Sequence, residues 1–167
     1  MIKGYISINK FNGSALVIRN GKKFYEKSYG YQNAETKKLI TKHSIFPIGS
    51  LTKSFTALLV LKLAEENKLS VEDPISTYIP DYPKGNQIKI KYLLSNTGGI
   101  FGKFRNAKFY EMAFFKNELL DFEPGTKFSY SNSGFDLLGI IVEKVTGSSY
   151  SVKIKQGLST KVADKKG

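Results

Sequence analysis

IFPIGSLTKSFTALLVLKLAEENKLS, residues 45–70, decides how the rest of this chain is read. From Phe55 to Ala64 its only charge is Lys62, so a helix over Leu51–Glu66 is expected to be buried nearly all round. Ser50 and Lys53 stand at the start of that run. On a helix, positions i and i+3 share a face about one turn apart, so these side chains can meet. A serine hydroxyl is a weak nucleophile until a base stands within hydrogen-bond reach. A lysine whose charge is disfavoured by burial can be that base. The spacing suits nucleophilic catalysis, yet it also occurs where serine only caps a helix and lysine only meets water. The tetrad alone leaves both readings open.

Upstream, GSALVIR (13–19) and KKFYEKS (22–28) read as strands joined by Asn20-Gly21, the strongest short-range hairpin signal. Downstream, Pro74, Pro80 and Pro83 mark a loop-rich crossing. Ile88–Leu94 reads as a short helix or strand, and Thr97-Gly98-Gly99 as a turn. Lys108–Leu120 has weak helical periodicity, and FEPGTKFSY (122–130) turns at Pro124-Gly125. Phe135, Leu138, Ile141 or Val142, and Val145 recur at helical spacing, with Asn132 or Ser133 as cap and Gly147 as stop. The lysine-rich stretch after Tyr150 has no clear period.

Composition bounds the chemistry. A chain of 167 residues with 41% apolar and 13% aromatic content has enough material for one folded core. No apolar stretch approaches the length of a membrane span, and the first ten residues lack the apolar region of a secretory signal. Without cysteine there is no disulfide framework or thiolate chemistry, and with His43 as the only histidine a zinc cluster is not expected. The net charge of +12 attracts polyanions such as nucleic acid, anionic lipid or wall polymer. But the lysines are spread along the chain, and the only arginines are Arg19 and Arg105, poor equipment for bidentate reading of bases or phosphates. No nucleic-acid-binding motif appears, so a solvated basic surface is the expected reading and nucleic acid is not an expected partner.

A second constellation bears on Ser50. Tyr130-Ser131-Asn132 sits where a turn enters a helix, so a phenol that can relay a proton and a carboxamide that can hold a substrate amide can share one cleft. Ser-x-x-Lys followed by Tyr-x-Asn resembles the serine β-lactamase and penicillin-binding-protein superfamily, in its class C β-lactamase-like, D-Ala-D-Ala peptidase and esterase branch. FNGSALVIRNGKKFYEKSYGYQN is similar to that family's opening hairpin. Residues 45–83 resemble its nucleophile helix and following loop, KYLLSNTGGI its helix-then-turn, and FEPGTKFSYSNSGFDLLGIIVEKVTG its second motif and helix. The likeness covers about residues 11–150.

The resemblance implies a fold and a set of roles. The fold is α+β, β-lactamase/transpeptidase-like, with an N-terminal β-hairpin plus a helical region. Residues 1–150 would be the N-terminal half of the family domain and 151–167 a lysine-rich tail of unassigned structure. Ser50 would be acylated, Lys53 would help deprotonate it, Tyr130 would pass the proton between nucleophile, leaving group and water, and Asn132 would hold the substrate's amide. The Ser50 N–H, at a helix N-terminus, would be one oxyanion donor. No metal or organic cofactor is implied. The implied substrates are D-alanyl peptides, β-lactams or esters, including peptidoglycan- or teichoic-acid-type material.

The chain also departs from the family pattern. Members run to roughly twice this length, and a Lys/His-x-Gly strand closes their cleft and supplies a second oxyanion N–H. After Tyr150 the chain offers only KVADKKG, which has no strand context. The expectation is therefore a truncated chain lacking the C-terminal strands, with the hairpin's unpaired edge inviting self-association. An inactive remnant that binds anionic wall polymer or a partner chain is the alternative. The family often works outside the cytoplasmic membrane while this chain shows no export signal, so its location stays unassigned. His43 reads as a surface or structural residue, and Asn96-Thr97-Gly98 as a structural turn whose Asn96 can still approach the cleft rim. Ser131 and Ser133 read as turn and cap residues.

Overall fold

The computed structural model describes residue 4, residues 11–100 and residues 120–162. Arg105, the KVADKKG end beyond residue 162, and the Lys108–Leu120 periodicity up to residue 119 lie outside the described residues. The chain divides into two compact units, 1–48 and 49–167.

The first unit is built on two hairpins. β1 (Gly13–Arg19) pairs antiparallel with β2 (Lys22–Tyr29), running from Gly13 opposite Tyr29 to Arg19 opposite Lys22. Asn20 and Gly21 both take positive φ, +52° and +71°, as a two-residue hairpin turn that matches strand twist requires. A register shift between Val17 and Ile18 breaks the ladder as a bulge does. β3 (Tyr31–Asn33) and β4 (Lys38–Leu39) form the smaller pair. Between the hairpins Gly30 has φ +81°, and a Cβ there would lie 1.7 Å from Asn12 Oδ1. That oxygen accepts the Tyr31 N–H at 2.7 Å while Asn12 Nδ2 donates to the Tyr31 carbonyl at 3.0 Å, so position 30 excludes any side chain. Each sheet has two strands, which leaves β1 and β2 one unpaired edge each among the described residues.

The second unit is helical. A 3₁₀ turn (Gly49–Leu51) runs into α1 (Thr52–Glu65), followed by α2 (Ile90–Leu94), α3 (Asn132–Thr146) and α4 (Tyr150–Val162). α1 packs on α3 and α4, and α2 on α3. Val60, Ile75, Ile88, Ile90, Leu138, Ile141 and Val142 lose all contact with water in one core. Ile88–Leu94 resolves as helix from Ile90, after Lys89 makes a single bridge to Pro74. No helix among the described residues is long and apolar enough to cross a membrane.

Two local expectations change, and a stretch left unassigned takes a definite form. α1 is not buried all round. Leu59, Val60 and Leu63 face the core, but Leu58 and Leu61 are about half exposed and line an apolar groove with Phe55 and Ile154. Two packed helices cover one face of α1, whereas its composition is apolar on both. The cap of α3 is Ser131, not Asn132 or Ser133: its Oγ accepts the Gly134 N–H at 3.0 Å. And the lysine-rich stretch is helical to Val162. Tyr150 and Ile154, one turn apart, pack on the core, and the Tyr150 N–H donates to Glu143 Oε1 at 2.8 Å, so tertiary contact offsets a weak period. Gly147 stops α3 as expected, with φ +63° and its N–H on the Glu143 carbonyl.

Candidate active site

Ser50 sits in the 3₁₀ turn that enters α1, so its backbone N–H lies among the free donors of a helix start. Gly49 before it takes φ +53°, although a Cβ there would meet nothing within 4 Å. The requirement is conformational, not spatial: the turn needs a left-handed residue. Lys53 follows in the first turn of α1.

Tyr130 and Asn132 reach the same place by a different route. Pro124-Gly125 forms a turn in which Gly125 has φ +90° and the Thr126 N–H donates to the Glu123 carbonyl at 3.1 Å. Glycine with positive φ after proline is the type II pattern. The chain then runs through Ser129 and Tyr130, outside any helix or strand, to Ser131. Because Ser131 caps α3, the Asn132 carboxamide is spared that task and faces α1.

The structure brings all four expected residues together. The Tyr130 hydroxyl donates to Ser50 Oγ at 2.8 Å. Lys53 Nζ lies 3.5 Å from Ser50 Oγ and donates to Asn132 Oδ1 at 2.7 Å. The same ammonium lies over the Tyr130 ring, 4.9 Å from its centroid, and 5.5 Å from that of Phe135. Lys53, followed by the bond to Ser50, holds the Tyr130 phenol below the ordinary tyrosine range. A phenol so placed loses its proton more readily than a free tyrosine.

Two further residues of this hollow escaped the sequence reading. Phe135 and Asp136 line it together with Ser50, Lys53 and Asn132. Asp136 lies four positions after Asn132, so helical spacing puts both on one face of α3, a signal that becomes legible once Asn132 is placed. Partial loss of hydration pushes the Asp136 carboxyl up, against the pull of the Lys53 ammonium. Deeper in, Thr56 donates to the Thr52 carbonyl at 3.1 Å, and its one hydrogen being spent, the 2.6 Å contact with Tyr150 has the phenol as donor.

The residues set aside are not members of the four-residue cluster. His43 is exposed in a turn of the first unit, its N–H on Thr41 Oγ1. Ser133 is buried in α3 with no hydrogen-bond partner for its hydroxyl among the described residues. Asn96 and Thr97 belong to the turn after α2. No group of three or more His, Asp or Glu among the described residues could hold a metal ion.

Comparison with known proteins bears on what such a cleft belongs to. The Staphylococcus aureus Protein flp (strain NCTC 8325 / PS 47) is 34% identical over 163 residues, which take in 89% of this chain and 32% of that protein. The Teichoic acid D-alanine hydrolase of Staphylococcus aureus strain MRSA252 is 33% identical over 168 residues, covering 98% of this chain and 41% of the relative. This chain thus spans 32% and 41% of the length of these two relatives. A class C beta lactamase structure superposes with TM-score 0.85 at 28% identity over 97% of this chain and 47% of that one. The α+β arrangement is therefore that of the β-lactamase/transpeptidase fold. The sequence profile of the Beta-lactamase family matches residues 9–161, which include Ser50, Lys53, Tyr130 and Asn132. A match over that much of the sequence, in the same fold, makes the chain a member of the Beta-lactamase family.

Proposed function

We propose that the chain is a serine hydrolase working through an acyl-Ser50 intermediate on D-alanyl peptides, β-lactams or esters. One observation carries the reading: Ser50 Oγ has the Tyr130 hydroxyl at 2.8 Å and Lys53 Nζ at 3.5 Å. Tyr130 is the nearer partner. Its phenolate, favoured by Lys53, takes the Ser50 proton as Oγ forms a bond to the substrate carbonyl carbon. The scissile C–O or C–N bond breaks, and Tyr130 returns that proton to the leaving oxygen or nitrogen. A water molecule then attacks the acyl ester, giving its proton through Tyr130 to Ser50 and releasing the acid. Asn132 spends its carbonyl oxygen on Lys53, which leaves its NH₂ to donate to a substrate carbonyl. The Ser50 N–H at the helix start serves as an oxyanion donor.

The relative named as a teichoic acid D-alanine hydrolase and the net charge of +12 favour esters carried on an anionic wall polymer. Covalent labelling with a fluorescent penicillin and with an activated phosphonate ester tests the proposal. Label is expected on Ser50 and absent from Ser50→Ala. If neither reagent labels the folded chain while anionic wall material retains it in a salt-sensitive way, the chain is a binding remnant instead.

A further inference from the structure

Tyr130 is half exposed and lies in a segment that belongs to no helix or strand, so neither burial nor a backbone ladder of its own fixes its position. The turn after α2 supplies what is missing. Asn96 takes φ +55°, in the left-handed region that glycine, asparagine and aspartate adopt most readily. Its backbone carbonyl accepts the Ser129 N–H at 2.9 Å. Its side-chain Oδ1 accepts the Ser131 N–H at 3.1 Å. These amides flank Tyr130 on its two sides. The next carbonyl along, that of Thr97, accepts the Gly125 N–H at 2.8 Å and ties down the turn that opens the segment.

We infer that Asn96 is the positioning residue for Tyr130: by accepting from both neighbouring amides it keeps the phenol within reach of Ser50. A residue at this position must do two things at once. It must tolerate a left-handed backbone, which aims its carbonyl at Ser129, and it must carry a short side-chain acceptor for Ser131. Glycine satisfies the first requirement only, alanine neither, and aspartate both. Sequence reading takes Asn96-Thr97-Gly98 as a structural turn with Asn96 able to approach the cleft rim, and no more, because the partners of Asn96 lie more than thirty positions away. The inference rests on the proposed function for what Tyr130 does, but not for where it is held.

The test separates the two. The Tyr130 phenol is followed by NMR in chain carrying ¹³C-labelled tyrosine, with Tyr130→Phe identifying its signal. The charged groups of the hollow among the described residues are Lys53 from α1 and Asp136 from α3, and both are left in place. Asn96→Gly is expected to move the Tyr130 titration upward, toward the ordinary value of about 10, as the ring leaves Lys53 and Ser50. Labelling of Ser50 should slow by about ten- to a hundredfold, the scale of a misplaced catalytic group. Asn96→Asp, which keeps the acceptor for Ser131, should restore the labelling rate relative to Asn96→Gly, its added charge making the Tyr130 titration no readout for this variant. Hydrogen exchange in the unaltered chain gives a readout that needs no variant: the Ser129 and Ser131 amides should be protected. An unchanged Tyr130 titration in Asn96→Gly, an Asn96→Asp chain labelled as slowly as Asn96→Gly, or a freely exchanging Ser131 amide overturns the inference. Absence of label in the unaltered chain counts against the proposed function alone, because the titration reads the phenol's place without any chemistry.

Discussion

Lys53 Nζ lies closer to Asn132 Oδ1, 79 positions away, than to Ser50 Oγ on its own turn: 2.7 Å against 3.5 Å. The ammonium is anchored by α3 and held over Tyr130, and the serine is its more distant neighbour. Lys53 and Asn132 therefore act as one unit. Replacing Lys53 with Ala is expected to slow Ser50 labelling by about 10²–10⁴, the usual worth of general-base catalysis, because without the ammonium the Tyr130 phenolate that takes the Ser50 proton is no longer favoured. Asn132→Ala should cost less, and the double variant little more than Lys53→Ala alone. Labelling rates for the four proteins give the coupling. Fully additive losses would show that the two side chains act separately.

Gly49 is required for its φ of +53° and not for lack of space. Gly49→Ala should lower unfolding stability by about 1–2 kcal/mol, the cost of a left-handed conformation for an L-residue. Asparagine, which tolerates that region, should cost clearly less. Urea unfolding of the three chains decides it. Equal stability for Gly and Ala would mean that the turn relaxes.

Tyr78 gives the fold a dependence on high pH. Its hydroxyl donates to Asp73 Oδ2 at 2.6 Å, and burial, then Asp73, pushes the phenol up to about 12. The unfolded chain releases this proton at about 10, so the folded state keeps a proton that the unfolded state has lost. The stabilisation is complete below that pH and disappears as pH rises through the folded value. Unfolding measured from neutral pH upward should show a steep loss in this window, and a shallower one in Tyr78→Phe. Parallel declines would place the cause elsewhere.

β1 and β2 each carry an unpaired edge among the described residues, and Ile18 and Phe24 on them are 62% and 72% exposed. Edges with apolar side chains invite pairing with another chain, and lysines oppose it. Sedimentation velocity should show association that rises with concentration and falls in the double variant Ile18→Lys, Phe24→Lys. A monomer at every concentration would remove self-association from the account.

What the sequence determined by itself was local. Asn20-Gly21 dictates its turn because both residues accept positive φ at little cost, and Gly125 after its proline and Gly147 at the end of α3 make their turn and stop for the same reason. The Ser50–Lys53 spacing sets a shared helix face whatever else the chain does. Other features depended on which surfaces meet. Leu58, Leu59 and Leu61 have one composition, yet only Leu59 is buried, since packing on α3 and α4 selects one face of α1. α4 forms on two core contacts and a Glu143 cap that no periodicity announces. In the candidate site, the motif residues are readable one by one. Their convergence is not, because Tyr130 meets Ser50 across 80 positions and is held there by Asn96 from another element. A short-range pattern specifies which conformations a segment can adopt. Only the packed core, by bringing distant segments to fixed separations, decides which of their polar groups come within hydrogen-bonding distance.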